Sequence, residues 1–232
     1  NRKAKRSLEG TYEPLYTTED AEGAVGLLVP CNYEDIIPVC EGVDIQFTDI
    51  GHLLGSASIK LWLTENGVTR TLVFSGDIGN TDQPLIEDPK YTDEADYVIM
   101  ESTYGNRLHP ENATSIEQLL DIVIKTTRRG GTVVIPSFAV GRTQELIYEF
   151  NRFYLERPEY KDELEKLTVY IDSPMATSAT EVFRRNAQVF DEETKAYILK
   201  GDNPLDFPNL RFTRSTAESQ ALNMDRKPKI II

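Results

Sequence analysis

The hydrophobic period of this chain changes once, and that change limits the folds open to it. From Val43 to Leu63 apolar residues recur at every second position: Val43, Ile45 and Phe47, then Ile59, Leu61 and Leu63. Such spacing turns one face of a strand toward a core and the other toward water. Asn66-Gly67 supplies the positive-φ pair of a tight hairpin turn, and Thr71 to Phe74 returns as its partner strand. The first region is therefore β-rich and antiparallel. Residues 8–40 ahead of it lack a clear period, except that Thr17 or Thr18 could cap a short helix from Glu19 to Leu28, ended by Pro30.

After Asp88 the style differs. Tyr97-Val98-Ile99-Met100 is a continuous apolar run, as expected of a strand buried on both faces. Thr114-Ser115-Ile116-Glu117 has capping-box spacing, and Ile116, Leu119, Leu120, Val123 and Ile124 share one helical face. Gly130-Gly131 stops that helix and releases a strand from Thr132 to Ile135. A helix through Leu146, Ile147, Phe150, Phe153 and Tyr154 follows, with Pro158 beyond its end. Next come a strand from Leu167 to Ile171, a helix opened by Ser173-Pro174 that runs toward Phe190, a helix framed by Ser215 and Glu218, and a terminal apolar strand. Strands alternating with helices predict a mostly parallel sheet with helices on its faces, an α/β architecture.

The chain has 232 residues and a net charge of −13, which argues against a surface that coats nucleic acid generally. It leaves room for a local basic path, since phosphate contacts depend on where each arginine stands. Arg2, Lys3, Lys5 and Arg6 form a basic start that reads as a terminal tail. Cys31 and Cys40 lack paired spacing, so neither a zinc knuckle nor a disulfide scaffold is expected. Lone thiols suit a reducing compartment, and a cytoplasmic location is expected. No apolar stretch reaches the length of a bilayer span, so no membrane partner is expected. The sequence begins at Asn1 and ends in Lys229-Ile230-Ile231-Ile232 without a turn, and we read it as a piece of a longer protein.

Polar groups with chemical potential gather at strand ends. His52 stands in Gly51-His52-Leu53-Leu54-Gly55-Ser56-Ala57 and Asp77 in Ser75-Gly76-Asp77-Ile78-Gly79. An imidazole binds zinc well and a carboxylate can bridge two cations, while flanking glycines let a ligand approach. The alternative is a hydrogen-bonded histidine beside a turn-capping aspartate. With only two histidines in the chain, further ligands would have to come from elsewhere. Glu101 follows the Tyr97–Met100 run, at the strand end where α/β folds collect ligands, or else it caps a helix or pairs with Arg107. His109 reads as a surface-loop residue.

Pro136-Ser137-Phe138-Ala139-Val140-Gly141-Arg142 and Asp172-Ser173-Pro174 each lead from a strand into a helix. Ser137, Arg142 and Ser173 could therefore position phosphate, with ordinary helix capping as the plain alternative. Neither segment is a Walker or dinucleotide fingerprint, so no nucleotide cofactor is expected. Among the aromatics, Phe138 is set apart by its place in a loop.

In order, these segments resemble the β-CASP branch of the metallo-β-lactamase-fold nucleases, which includes RNA-processing endonucleases akin to the cleavage-and-polyadenylation nuclease. The Gly51–Ala57 segment is similar to the family's third metal motif and Ser75-Gly76-Asp77 to its fourth. Glu101-Ser102-Thr103-Tyr104-Gly105 is similar to the acidic motif that opens the β-CASP insertion, and Pro136 to Leu146 also resembles that insertion.

The resemblance implies part of a metallo-β-lactamase αββα sandwich over 1–104, followed by an incomplete β-CASP domain over 105–232. It implies that His52 binds one metal of a two-zinc centre, that Asp77 bridges both metals, and that Glu101 orients a proton-donating histidine; Asp77 and Glu101 are the catalytic candidates. The family's HxHxDH segment would lie upstream, and its later histidines beyond Ile232. The implied reaction is two-metal hydrolysis of RNA phosphodiesters by the parent protein, this piece alone being inactive. RNA, a second copy or an RNA-processing complex are the implied partners. Two alternatives stand beside it: a catalytically silent scaffold or RNA-binding subunit, and a related metallo-hydrolase acting on DNA or small phosphoesters.

Overall fold

A computed structural model describes residues 14–108 and 112–232. The basic start at Arg2–Arg6 and the loop His109 lie outside the described residues. The alternating region forms a five-stranded sheet in the order β1-β2-β3-β4-β5: β1 Ile36–Cys40, β2 Val43–Asp49, β3 Ala57–Glu65, β4 Val68–Phe74 and β5 Tyr97–Ile99. The first four strands are antiparallel, and β5 joins β4 in parallel. Asn66 and Gly67 adopt φ of 51° and 77°, the paired positive angles of the expected hairpin.

Ahead of this sheet, α1 spans Thr18–Val25 and is capped by Thr17, whose hydroxyl accepts the Asp20 N–H while the Asp20 carboxylate accepts the Thr17 N–H. It ends at the Gly26 cap, short of the expected Leu28.

The second unit is built on a four-stranded, all-parallel sheet in the order β6-β9-β7-β8: β6 Val133–Val134, β7 Thr168–Ile171, β8 Leu210–Phe212 and β9 Lys229–Ile231. Its helices are α2 Asn112–Arg128, α3 Arg142–Glu156, the short α4 Lys161–Leu164, α5 Pro174–Arg185, α6 Glu192–Leu199 and α7 Thr216–Met224. The α2 helix starts ahead of Thr114, so the expected capping position lies inside it. The Ser173-Pro174 and Ser215/Glu218 starts are as expected, each serine accepting a backbone N–H from the first turn of its helix.

The core lies in this unit: Val123 of α2, Ile147 and Phe150 of α3, Ile171 of β7 and Ile230 of β9 are wholly closed to solvent. Leu85, on the connection after β4, joins the same core, and its φ of 77° is strained for a side chain of that kind. Its burial holds the two units together, along with a Lys195–Glu87 ion pair of 3.6 Å.

One expectation is corrected. The Tyr97–Met100 run is not buried on both faces. As β5 it pairs with β4 alone, and Val98 is 59% exposed. Continuous hydrophobicity signalled a surface meant to be covered, and among the described residues nothing covers it. No helix among the described residues is long and apolar enough to cross a membrane.

Candidate functional site

Two glycine-framed loops meet at the ends of β2 and β4. Gly51 has a φ of 61°, and its N–H donates to the Asp49 carboxylate at 2.9 Å. A Cβ on Gly79 would run into the Gly51 carbonyl, and the Gly79 N–H donates to the Ile50 carbonyl at 3.0 Å. Only bare backbone permits this approach. The Ser56 hydroxyl accepts both the His52 and Leu53 N–H groups at 3.1 Å and curls the loop.

The result brings His52 and Asp77 together, Nε2 to Oδ2 at 3.9 Å, both accessible to solvent. Glu101 joins them from the end of β5. Its Oε1 accepts the Ile78 N–H at 2.6 Å, and its own N–H donates to the buried Ser75 hydroxyl at 3.1 Å. The Ile78 amide and then the Thr103 hydroxyl hold the Glu101 carboxyl below the usual range, with a smaller pull from His52. Glu101 is therefore neither a helix cap nor an Arg107 partner. It fastens the turn that carries Asp77. The Arg107 guanidinium lies over the Tyr104 ring, 4.5 Å from its centroid.

A metal can be weighed against these groups. Imidazole nitrogen and carboxylate oxygen are fitting donors at a fitting separation, so His52 and Asp77 suit two ligand positions. Among the described residues, however, no group of three or more His, Cys, Asp or Glu side chains is placed to hold an ion. The donor set is right in kind and short in number.

The phosphate candidates occupy the carboxyl end of the parallel sheet. Each already has a partner: the Ser137 hydroxyl lies 3.2 Å from that of Thr143, the Arg142 guanidinium pairs with Glu145 at 2.6 Å, and Ser173 caps α5. Arg142 nonetheless keeps most of its side chain in solvent. The carboxylate of Asp172 is engaged by the hydroxyls of Thr213 and Ser219 at 2.6 and 2.8 Å, fixing the turn that carries Ser173.

The residue that unites this end was not anticipated. Gln144, fully buried, accepts the Gly141 N–H at 2.7 Å and donates to the carbonyls of Ala139 and Ala176 and to the Thr180 hydroxyl. It ties the Ser137–Arg142 loop to the helix that follows Ser173. The available signal was its position three residues after Gly141, the spacing from which a glutamine reaches back to the cap N–H.

The two units touch at this point. A Cβ on Gly141, whose φ is 83°, would strike the Leu53 side chain, and His52, Leu53, Gly141 and Glu145 line one crevice. Burial pushes the Glu145 carboxyl up, against smaller pulls from Arg142 and His52. A separate cleft of about 470 Å³ between Asp82–Asp88 and helices α3 and α6 is lined by Glu87, Glu149 and Glu193, the wrong sign for phosphate.

Residues 143–232 match the Beta-Casp domain. The chain carries a β-CASP domain. It is 35% identical over 220 residues to Ribonuclease TTHA0252 of Thermus thermophilus, covering 95% of this chain and 48% of that protein. It is 31% identical over 229 residues to the transcription termination factor FttA of Methanocaldococcus jannaschii, covering 97% of this chain and 34% of that one. To cleavage and polyadenylation specificity factor 73 of Drosophila melanogaster it is 26% identical over 201 residues, covering 86% and 28%. This β-CASP chain thus spans half or less of each of these relatives, and the mixed and parallel sheets agree with the expected fold class.

Proposed function

We propose that this β-CASP chain is the central segment of a metal-dependent ribonuclease, contributing two metal ligands and part of the RNA path. The observation that carries this reading is the convergence of His52, Asp77 and Glu101, distant in sequence, on one accessible point at the strand ends. The names of the relatives support RNA as the substrate class. In this reading the first unit covers 1–104 and the β-CASP domain 105–232.

His52 and Asp77 would hold zinc, which when bound would lower the pKa of an attacking water and steady the phosphoryl oxygens. Glu101 would keep Asp77 aimed through the Ile78 N–H, and could orient a histidine from outside this sequence. Ser137, Arg142 and Ser173 would steer the RNA backbone toward that point.

The test uses the full-length protein. Asp77→Ala is expected to remove bound metal and RNA cleavage together, and Glu101→Gln to reduce cleavage about 10- to 100-fold while metal is retained in part. Unchanged metal content and cleavage in Asp77→Ala would sink the proposal. Cleavage of DNA or small phosphoesters in preference to RNA would redirect it.

A further inference from the structure

On the loop beside this site one large apolar side chain is left open to solvent. Phe138 is 84% exposed although it lies in a tightly held loop. Its carbonyl accepts the Thr143 hydroxyl at 2.7 Å and the Thr143 N–H at 3.3 Å, and the next carbonyl, that of Ala139, accepts from buried Gln144. The backbone is thus fixed while the ring stands in water. Val140, two residues on, is also exposed.

A phenyl ring held open in this way loses hydrophobic burial and gains no hydrogen bond. The Phe138 backbone is, however, already ordered, so the loop need not be fixed when a flat apolar partner stacks on the ring. The loop also leads to the crevice shared with His52. Chain geometry keeps Phe138 within about 11 Å of Gly141, whose neighbour across that crevice is Leu53. Arg142 stands on the same turn, paired with Glu145 but with most of its side chain in solvent. A ring for a base and a cation for the adjoining phosphate are what an unpaired nucleotide needs.

We infer that Phe138 is a stacking platform for an unpaired RNA base, positioning the strand where its loop meets the loop that carries His52. The inference rests on the ribonuclease reading above and adds a requirement to it: the substrate must be single-stranded at this point. An unpaired base can lie flat on the ring, whereas a base inside a duplex has both faces covered.

Equilibrium binding by the full-length protein tests it, using a short single-stranded RNA, the same RNA with abasic sites, and an RNA duplex. Phe138→Ala is expected to weaken binding of the single strand by about 5-fold or more, and Phe138→Tyr to restore it. The abasic strand should bind the wild-type protein and Phe138→Ala equally. The slope of affinity against salt should be unchanged by Phe138→Ala but reduced by Arg142→Ala, which separates stacking from charge. If Phe138→Ala proves less stable, Phe138→Trp decides: its fluorescence should be quenched by the single strand and not by the abasic one. Equal affinity of the wild-type protein and Phe138→Ala for single-stranded RNA would overturn the stacking role and leave the ribonuclease reading standing. Failure of the wild-type protein to bind any RNA would overturn both.

Discussion

In the parallel sheet, Val169, Ile171 and Ile230 are sealed beneath helices α2, α3 and α5, whereas in the mixed sheet Tyr97, Val98 and Ile99 of β5 stand more than half open. Both sets are strongly apolar, so composition does not explain the contrast. The parallel unit carries its own cover, because each strand-to-strand crossover lays a helix on the sheet. The first four strands of the mixed sheet are antiparallel neighbours, and β5 is reached from β4 by a long connection without a helix, so neither kind of link lays a helix over the sheet. From the first unit, Leu85 is buried in the common core and Leu54 packs against it. The second unit is therefore held by its own burial, and the first by hydrogen-bonded ladders together with whatever surface its apolar strands meet.

Core truncation should separate the two units most strongly. Phe150→Ala removes a wholly buried ring and should cost about 3–5 kcal/mol. Ile99→Ala, at a residue 53% exposed, should stay near 0.5 kcal/mol, roughly the range of surface substitutions. Denaturant unfolding of the 232-residue chain reads both. Equal losses would break the contrast.

The junction comes next. Gly141→Ala places a Cβ against Leu53 at a φ that side chains resist, and a loss of about 1–3 kcal/mol is expected. Adding Leu53→Ala should recover part of it, so that the pair departs from additivity. Strict additivity in a double-mutant cycle would mean that the units do not communicate through this contact.

Acid titration should give the smallest effect, of opposite sign for Asp96 and Glu101 of the first unit and for Glu145 and Glu149 of the second. In the first, the Thr71 N–H and hydroxyl lower the Asp96 carboxyl, as the Ile78 N–H lowers that of Glu101. Their stabilising contribution is complete above the ordinary carboxylate value of about 4 and is lost as pH falls through the depressed values. In the second, burial raises the carboxyls of Glu145 and Glu149. Stability from that source declines as pH rises from the ordinary value through the raised one. Asp96→Asn should flatten the acid loss, and Glu149→Gln should remove the decline toward neutral pH. If Asp96→Asn leaves the unfolding profile below about pH 4 unaltered, the assignment for the first unit fails.

Much of the fold could be read from local pattern. The alternation in β2 and β3, the Asn66-Gly67 turn and the serine caps at Ser173 and Ser215 each report a backbone state through a few neighbouring residues. Less regular elements escaped. The β1 strand carries Pro38 and an irregular register near Cys40, and β8 has three residues, too few for a period to show. Helix α6 lacks a concentrated apolar face, with Ala196, Tyr197, Ile198 and Leu199 running around it. At the site, the meeting of His52, Asp77 and Glu101 was implied by the family resemblance of their segments, while the bracing role of Gln144 depends on Ala176 and Thr180, far along the chain.

By itself, then, the sequence determined where the backbone extends, turns and coils, because those preferences are set by side chains within a few residues of one another. Only the tertiary structure decided which strands lie centrally and which lie at an edge. The terminal Lys229–Ile231 run became the interior strand β9, with Ile230 fully buried, and the equally apolar Tyr97–Ile99 run became an open edge. Hydrophobicity states that a strand should be covered. What covers it is set by pairing across long stretches of chain, and the free energy of that pairing resides in contacts no local window contains.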